Sequence, residues 1–125
     1  MTPNEYIHNV MRTDAGPNPK SRERAVENFS LLHSCMGICT ESGELMDAVK
    51  KTIVYGKALD VVNVKEEIGD LFWYIGLLCN SLGLSFEEIW ETNIAKLRKR
   101  YPQNFTEAAA LDRDLSAERS VLEGN

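Results

Sequence analysis

Between Ser21 and Tyr55 the apolar residues recur at intervals of three and four, and they do so on two separate faces. Leu31, Cys35, Ile38, Leu45 and Val49 form one stripe, while Phe29, Leu32, Met36, Cys39 and Met46 form a second about a third of a turn away. A helix with two apolar stripes needs two sets of partners. The other helices of one chain can cover one stripe, and a second subunit is the economical cover for the other. No segment of useful length alternates apolar and polar residues as a strand does. The expected fold class is therefore all-α, a bundle of four to five helices whose core is completed in a homodimer or a dimer of dimers.

Local signals divide the chain. A short helix is expected over Asn4 to Arg12, followed by the breaker-rich link Asp14 to Lys20. The long helix runs from Ser21 to Tyr55 and stops at Gly56; a third spans Val61 to Leu82. The fourth runs from Ser85, an N-cap with Glu88 at the third helical position, to Tyr101 before Pro102. Residues 1–105 are read as one helical catalytic domain. Residues 106–125 are read as a charged tail, helical from Thr106 to Glu123.

Composition narrows the partners. A net charge of -5 argues against binding a nucleic acid polymer. No apolar run approaches the roughly 20 residues a membrane span requires, and the N-terminus does not resemble a signal peptide. Cys35, Cys39 and Cys79 fall in apolar stripes, which predicts buried, reduced thiols and a cytoplasmic location.

The chemistry sits in two carboxylate doublets. Glu41 and Glu44 lie three residues apart on the long helix, and Glu67 and Asp70 repeat that spacing on the third. Each doublet lies on one helix face about a turn apart, so four acids converge if the two helices pack side by side. Solvated faces commonly carry Lys or Arg four residues after Glu, but the corresponding positions here are Leu45, Ala48, Leu71 and Tyr74. Clustered carboxylates with oxygen-only ligands call for a hard divalent cation, Mg²⁺ with Mn²⁺ able to substitute.

Further side chains share these faces. His33, Gly37, Ala48 and Lys51 accompany the first doublet, and Asn63 and Tyr74 accompany the second, with Trp73 on its flank. On the fourth helix Ile89, Asn93, Lys96 and Arg100 fall on one face, so an amide and two cations could cradle a polyphosphate that carboxylates alone would repel.

Glu-x-x-Glu, then Glu-x-x-Asp on the next helix, then Asn93-Ile-Ala-Lys96-Leu-Arg-Lys-Arg100-Tyr101-Pro102 resembles the MazG-like branch of the all-α nucleoside triphosphate pyrophosphohydrolases. The likeness runs from about Phe29 to Phe105 and includes the Gly-Ile-Cys-Thr-Glu-Ser-Gly-Glu-Leu and Gly-Asp-Leu-Phe-Trp-Tyr stretches. The resemblance implies a helical dimer or tetramer that uses Mg²⁺ to convert (deoxy)nucleoside triphosphates to the monophosphate and pyrophosphate, a role in nucleotide-pool control or house-cleaning. Glu41, Glu44, Glu67 and Asp70 would hold the metal and one site carboxylate, or neighbouring Glu66, would act as base. Asn93, Lys96, Arg100, Lys51 and Tyr74 would bind phosphate or sugar, and His33 and Trp73 the base. Related folds act on phosphoribosyl-ATP, and a catalytically silent nucleotide-binding module would carry the same residues; base selection depends on pocket shape, which the pattern does not encode.

Overall fold

In the computed structural model, which describes residues 1–16 and 18–124, the chain is helical with no strand among the described residues. The elements are α1 (Pro3–Thr13), α2 (Pro19–Glu27), α3 (Phe29–Ile53), α4 (Val61–Leu82), α5 (Phe86–Arg100), α6 (Glu107–Leu111) and α7 (Leu115–Leu122). Pro17 of the expected link lies outside the described residues.

Antiparallel α3 and α4 make the main helix pair, and their boundaries follow from local chemistry. Asp60 caps α4 by accepting from the amides of Val62 and Asn63. Gly83, at φ 66°, ends it in the left-handed conformation while the Leu84 amide returns to the Cys79 carbonyl. Ser85 then accepts from the Glu88 amide to start α5.

Two expected helices are each divided. The run from Ser21 to Tyr55 breaks at Asn28, where φ −111° and ψ 30° leave the helical region. The Asn28 side-chain amide donates to the Arg24 carbonyl, a local bond that competes with helix propagation. The tail breaks between Leu111 and Leu115. Thr106 caps α6 through the Ala109 amide, and Asp114 starts α7 by accepting from Ala117.

α7 folds back on α5 through a buried charge cluster. Glu118, only 4% exposed, accepts from Nε and Nη2 of Arg100 at 2.7 and 2.6 Å, and again from Arg113. Arg100 first, then Arg113, holds the Glu118 carboxyl down at about 2, against its ordinary 4.5. A carboxylate depressed on folding stabilises the fold fully above its unfolded value, and that contribution is lost as pH falls through the folded one. Acid should therefore release α7 between about pH 5 and pH 2, read as faster amide exchange in α7 while α3 and α4 stay protected.

The single chain has little core of its own. Among the described residues only Ala48 and Cys79 are buried apolar residues. The accessible surface is 10152 Å², against about 6,700 Å² for a compact monomer of this mass. The two stripes of α3 behave differently. In the first, Leu31, Ile38 and Leu45 are half-buried while Cys35 and Val49 are exposed; in the second, Phe29, Leu32, Met36 and Met46 are all 45–65% exposed. The expectation of buried cysteines is corrected in part: Cys79 is buried, but Cys35 and Cys39 are exposed, because no other described helix of the chain covers them. All three thiols are free.

Candidate functional site

The i, i+3 spacing works as geometry requires once α3 and α4 lie side by side. Carboxylate oxygens of Glu41, Glu67 and Asp70 all fall within 4.8 Å of one another. Glu67 is 5% exposed, Glu41 half-buried and Asp70 exposed, so the trio sits at the mouth of the interhelical seam rather than beneath it. Glu44, one turn along α3, stands at the edge of a groove of about 400 Å³ lined by Thr40, Gly43, Glu44, Asp47, Lys51, Asn63 and Glu67.

Hydrogen bonds orient part of this set. The Asn63 amide donates to Glu67 Oε1 at 2.6 Å, one turn before it on α4. The Thr40 hydroxyl lies 3.2 Å from Glu41 Oε1 and 2.9 Å from the Gly37 carbonyl. Asp47 takes Lys50 and Lys51 at 2.8 Å each, which holds its carboxyl down at about 2 and raises Lys51. Lys51 is thus a fixed cation on the wall of the acidic groove.

The acids feel one another. Glu44 is raised above its ordinary range, by Glu67 first, then by Glu41, by burial, by Asp70 and by Glu66. The donor set fits a hard divalent cation: it is all oxygen, and ligand oxygens on an octahedral Mg²⁺ lie between about 3.0 Å apart when adjacent and about 4.2 Å when opposite, both inside the 4.8 Å that bounds the three acids. A raised carboxyl stabilises the fold below its unfolded value and loses that contribution as pH rises through the folded one, so near neutrality the cluster is a liability that a dication removes. Mg²⁺ at about 100 times its Kd is accordingly expected to raise the midpoint of thermal unfolding by about 10 °C at neutral pH. The gain should shrink as pH falls into the carboxylate range. A midpoint indifferent to Mg²⁺ at neutral pH would count against metal binding here.

Aromatic residues occupy the next turns of the hairpin. Tyr74, four residues beyond Asp70, lies against α3 at Gly37, four residues before Glu41. His33 meets Tyr74 edge-on at 5.6 Å and stacks on Phe29 at 5.8 Å, while Trp73 meets Tyr74 edge-on at 4.9 Å. Tyr74 is half-buried, and its hydroxyl makes no hydrogen bond to another described residue, so it is not tied to a backbone carbonyl. Trp73 is 60% exposed.

The α5 residues are placed differently. Asn93 shares a groove with Leu84, Glu88, Ile89, Thr92 and Leu122, so it faces α7. Arg100 faces α7 too, held by Glu118. Lys96 is half-buried on the same helix. The structure thus gathers Glu41, Glu67 and Asp70, sets Glu44 and Lys51 beside them and places Tyr74, His33 and Trp73 along the same hairpin; it turns Asn93 and Arg100 toward the tail. Sequence reasoning passed over Thr40 and Asp47 and gave Asn63 no role at the site. The available signal was spacing: Asn63 precedes Glu67 by four, and Asp47 precedes Lys51 by four.

Comparison with known proteins follows the same part of the chain. Residues 30–105 match the family model described as the MazG nucleotide pyrophosphohydrolase domain. The chain is also similar to the Gene 37 protein of Mycobacterium phage L5, 28% identical over 102 residues that cover 75% of this chain and 85% of the phage protein. No solved structure matches the chain. No helix among the described residues is long and apolar enough to cross a membrane.

Proposed function

This chain belongs to the MazG nucleotide pyrophosphohydrolase family, and on that premise we propose that it hydrolyses (deoxy)nucleoside triphosphates to the monophosphate and pyrophosphate with Mg²⁺ as cofactor. The observation that carries the proposal is the convergence of Glu41, Glu67 and Asp70 from two helices of the matched domain. These three carboxylates would hold the metal, with Glu44 joining from the groove edge. A divalent cation bound there supplies Lewis acidity toward the phosphate chain and offsets the charge of the acids. Mn²⁺ offers the same oxygen preference and should substitute.

The remaining roles fall to this chain's own groups. Asn63 fixes the Glu67 carboxylate by its 2.6 Å hydrogen bond, and a fixed ligand costs less to organise. Lys51, kept protonated by Asp47, faces the phosphate chain and offsets charge on the leaving pyrophosphate. One of the clustered carboxylates, or Glu66 beside them, takes the proton from the attacking water; Glu44 is the member whose proton affinity is raised. Attack at the α-phosphorus expels pyrophosphate. Tyr74, His33 and Trp73 line the path a sugar and base would take beyond the phosphates. Asn93, Lys96 and Arg100 keep an assigned role at the phosphates, and for Arg100 that role requires Glu118 to release the guanidinium.

Several wider features belong to the same reading. The exposed stripe of α3 and the surplus surface of one protomer support a homodimer or a dimer of dimers. Three free thiols accord with a reducing, cytoplasmic setting. The net charge of -5 accords with a free nucleotide substrate rather than a nucleic acid polymer. Nucleotide-pool control or house-cleaning is the role such a reaction would serve.

The test is a panel of ordinary and modified (deoxy)nucleoside triphosphates, with phosphoribosyl-ATP included, each incubated with Mg²⁺, Mn²⁺ or EDTA. Pyrophosphate with nucleoside monophosphate, abolished by EDTA, is the expected result, and the order of kcat/KM names the base. Turnover of phosphoribosyl-ATP alone would move the substrate assignment. Mg²⁺-dependent nucleotide binding without product would make the chain a silent binding module.

A further inference from the structure

α3 and α4 carry four glycines within their helices, and at only one of them does the packing demand a missing side chain. A Cβ built at Gly43 or Gly69 meets nothing within 4 Å, and one at Gly76 makes an ordinary contact with Phe86 at 3.9 Å. At Gly37 it would lie 2.2 Å from Cδ1 and Cε1 of Tyr74 and 2.4 Å from Cγ. Carbon atoms in contact sit about 3.5–4.0 Å apart. The atoms struck are at the root and near edge of a planar ring, so no flexible tip can give way; the ring must swing or the helices must part. Glycine is a poor helix former, yet here it occupies the buried face of α3.

Position gives this contact its meaning. Gly37 precedes Glu41 by one turn and Tyr74 follows Asp70 by one turn, so in the antiparallel pair both lie about 6 Å from the acid cluster on the same side of it. His33 is one turn further, and its ring meets, nearly perpendicular, the ring that Gly37 admits. Trp73 meets the same ring and offers an exposed indole. Tyr74 is therefore the keystone of three aromatic side chains spread over the span, about 6 to 12 Å, that a sugar and base cover beyond a metal-held phosphate.

We propose that Gly37 is a positioning residue for the sugar–base end of the nucleotide: by carrying no side chain it seats the Tyr74 ring on the α3 backbone, and the seated ring fixes the wall on which that end of the substrate rests. The proposal rests on the nucleotide reading given above. It assigns binding of the non-phosphate part to this wall and leaves the phosphate chain to the acids, Lys51 and the α5 side chains. A side chain at position 37 moves the wall without touching either.

The experiment compares Gly37→Ala, Tyr74→Ala and the double variant, measuring Tm, KM and kcat for the best nucleotide, and inhibition by magnesium tripolyphosphate, which has no sugar or base. Gly37→Ala should raise KM about tenfold, the size of one lost stacking contact, with kcat changed less and the tripolyphosphate Ki within about twofold. In the Tyr74→Ala background the same substitution should have no further effect on KM and should raise Tm, because the methyl enters vacated space. A spectroscopic arm uses Trp90→Phe, so that emission reports Trp73; nucleotide should shift that emission and tripolyphosphate should not. Additive KM effects, or a tripolyphosphate Ki that rises with KM, would overturn the proposal and leave Gly37 a packing residue. If the unaltered protein shows no turnover and the Trp90→Phe variant no Trp73 response to any nucleotide, the nucleotide reading itself fails and takes the proposal with it.

Discussion

Glu67→Gln should reduce pyrophosphate release by about 10³-fold or more, the effect of removing several kcal/mol of transition-state stabilisation, and should leave the protein folded. Glu67 is the most buried of the three converging acids and accepts the Asn63 amide. The glutamine carbonyl can accept the same hydrogen bond at nearly the same volume, so packing along the α3–α4 seam is preserved. Its removal also takes away the largest cause of the raised Glu44 carboxyl. The metal-free variant should therefore match or exceed the parent in thermal stability near neutral pH, while losing most of the Mg²⁺-dependent rise. Activity measured beside Tm with and without Mg²⁺ checks both halves. Full activity in a folded Glu67→Gln protein would remove this residue from the site.

The second large effect concerns the outer stripe of α3. Leu32 and Met36 are 45% and 58% exposed in one protomer. On the surface of a monomer, Leu32→Glu and Met36→Glu would each change stability by no more than about 0.5 kcal/mol. If the stripe is the seam between copies, each buries an unpaired carboxylate and costs several kcal/mol. The surplus of roughly 3,400 Å² per chain over a compact monomer, about 6,800 Å² for a pair, matches only the largest, obligate class of interface. The double variant is accordingly expected to sediment as a monomer and to lose most of its cooperative unfolding. Sedimentation of the unaltered protein as a stable monomer at micromolar concentration would remove the subunit interface.

Much of the fold could be read from the sequence because the deciding signals are local. Asp60, Gly83 and Ser85 act within a turn of themselves, and they set the ends of α4 and the start of α5 where the pattern put them. The break at Asn28 was hidden because an asparagine inside a charged, helix-favouring run becomes a stop only when its side chain bonds to Arg24. The division of the tail was hidden similarly, since caps at Thr106 and Asp114 compete with an alanine-rich continuous helix.

The site divides along the same line. Spacing of three places two carboxylates on one face whatever else the chain does, so the doublets were legible before any packing was known. Which face meets which helix is a tertiary outcome. α7 docks on α5 through Glu118 and Arg100, eighteen residues apart, and nothing within either helix announces that pairing. The notch at Gly37 was equally silent, for a glycine on the site face gives no sign that a ring from α4 will fill its space.

The central claim is that the acids of α3 and α4 support metal-dependent attack on the α-phosphorus of a nucleotide. Hydrolysis of the best substrate in ¹⁸O-water with Mg²⁺, its products followed by phosphorus NMR and mass spectrometry, tests it most directly. The account predicts monophosphate carrying the label, unlabelled pyrophosphate, and no reaction after EDTA until Mg²⁺ is restored. Label in pyrophosphate, release of orthophosphate, or turnover that persists in EDTA would contradict it.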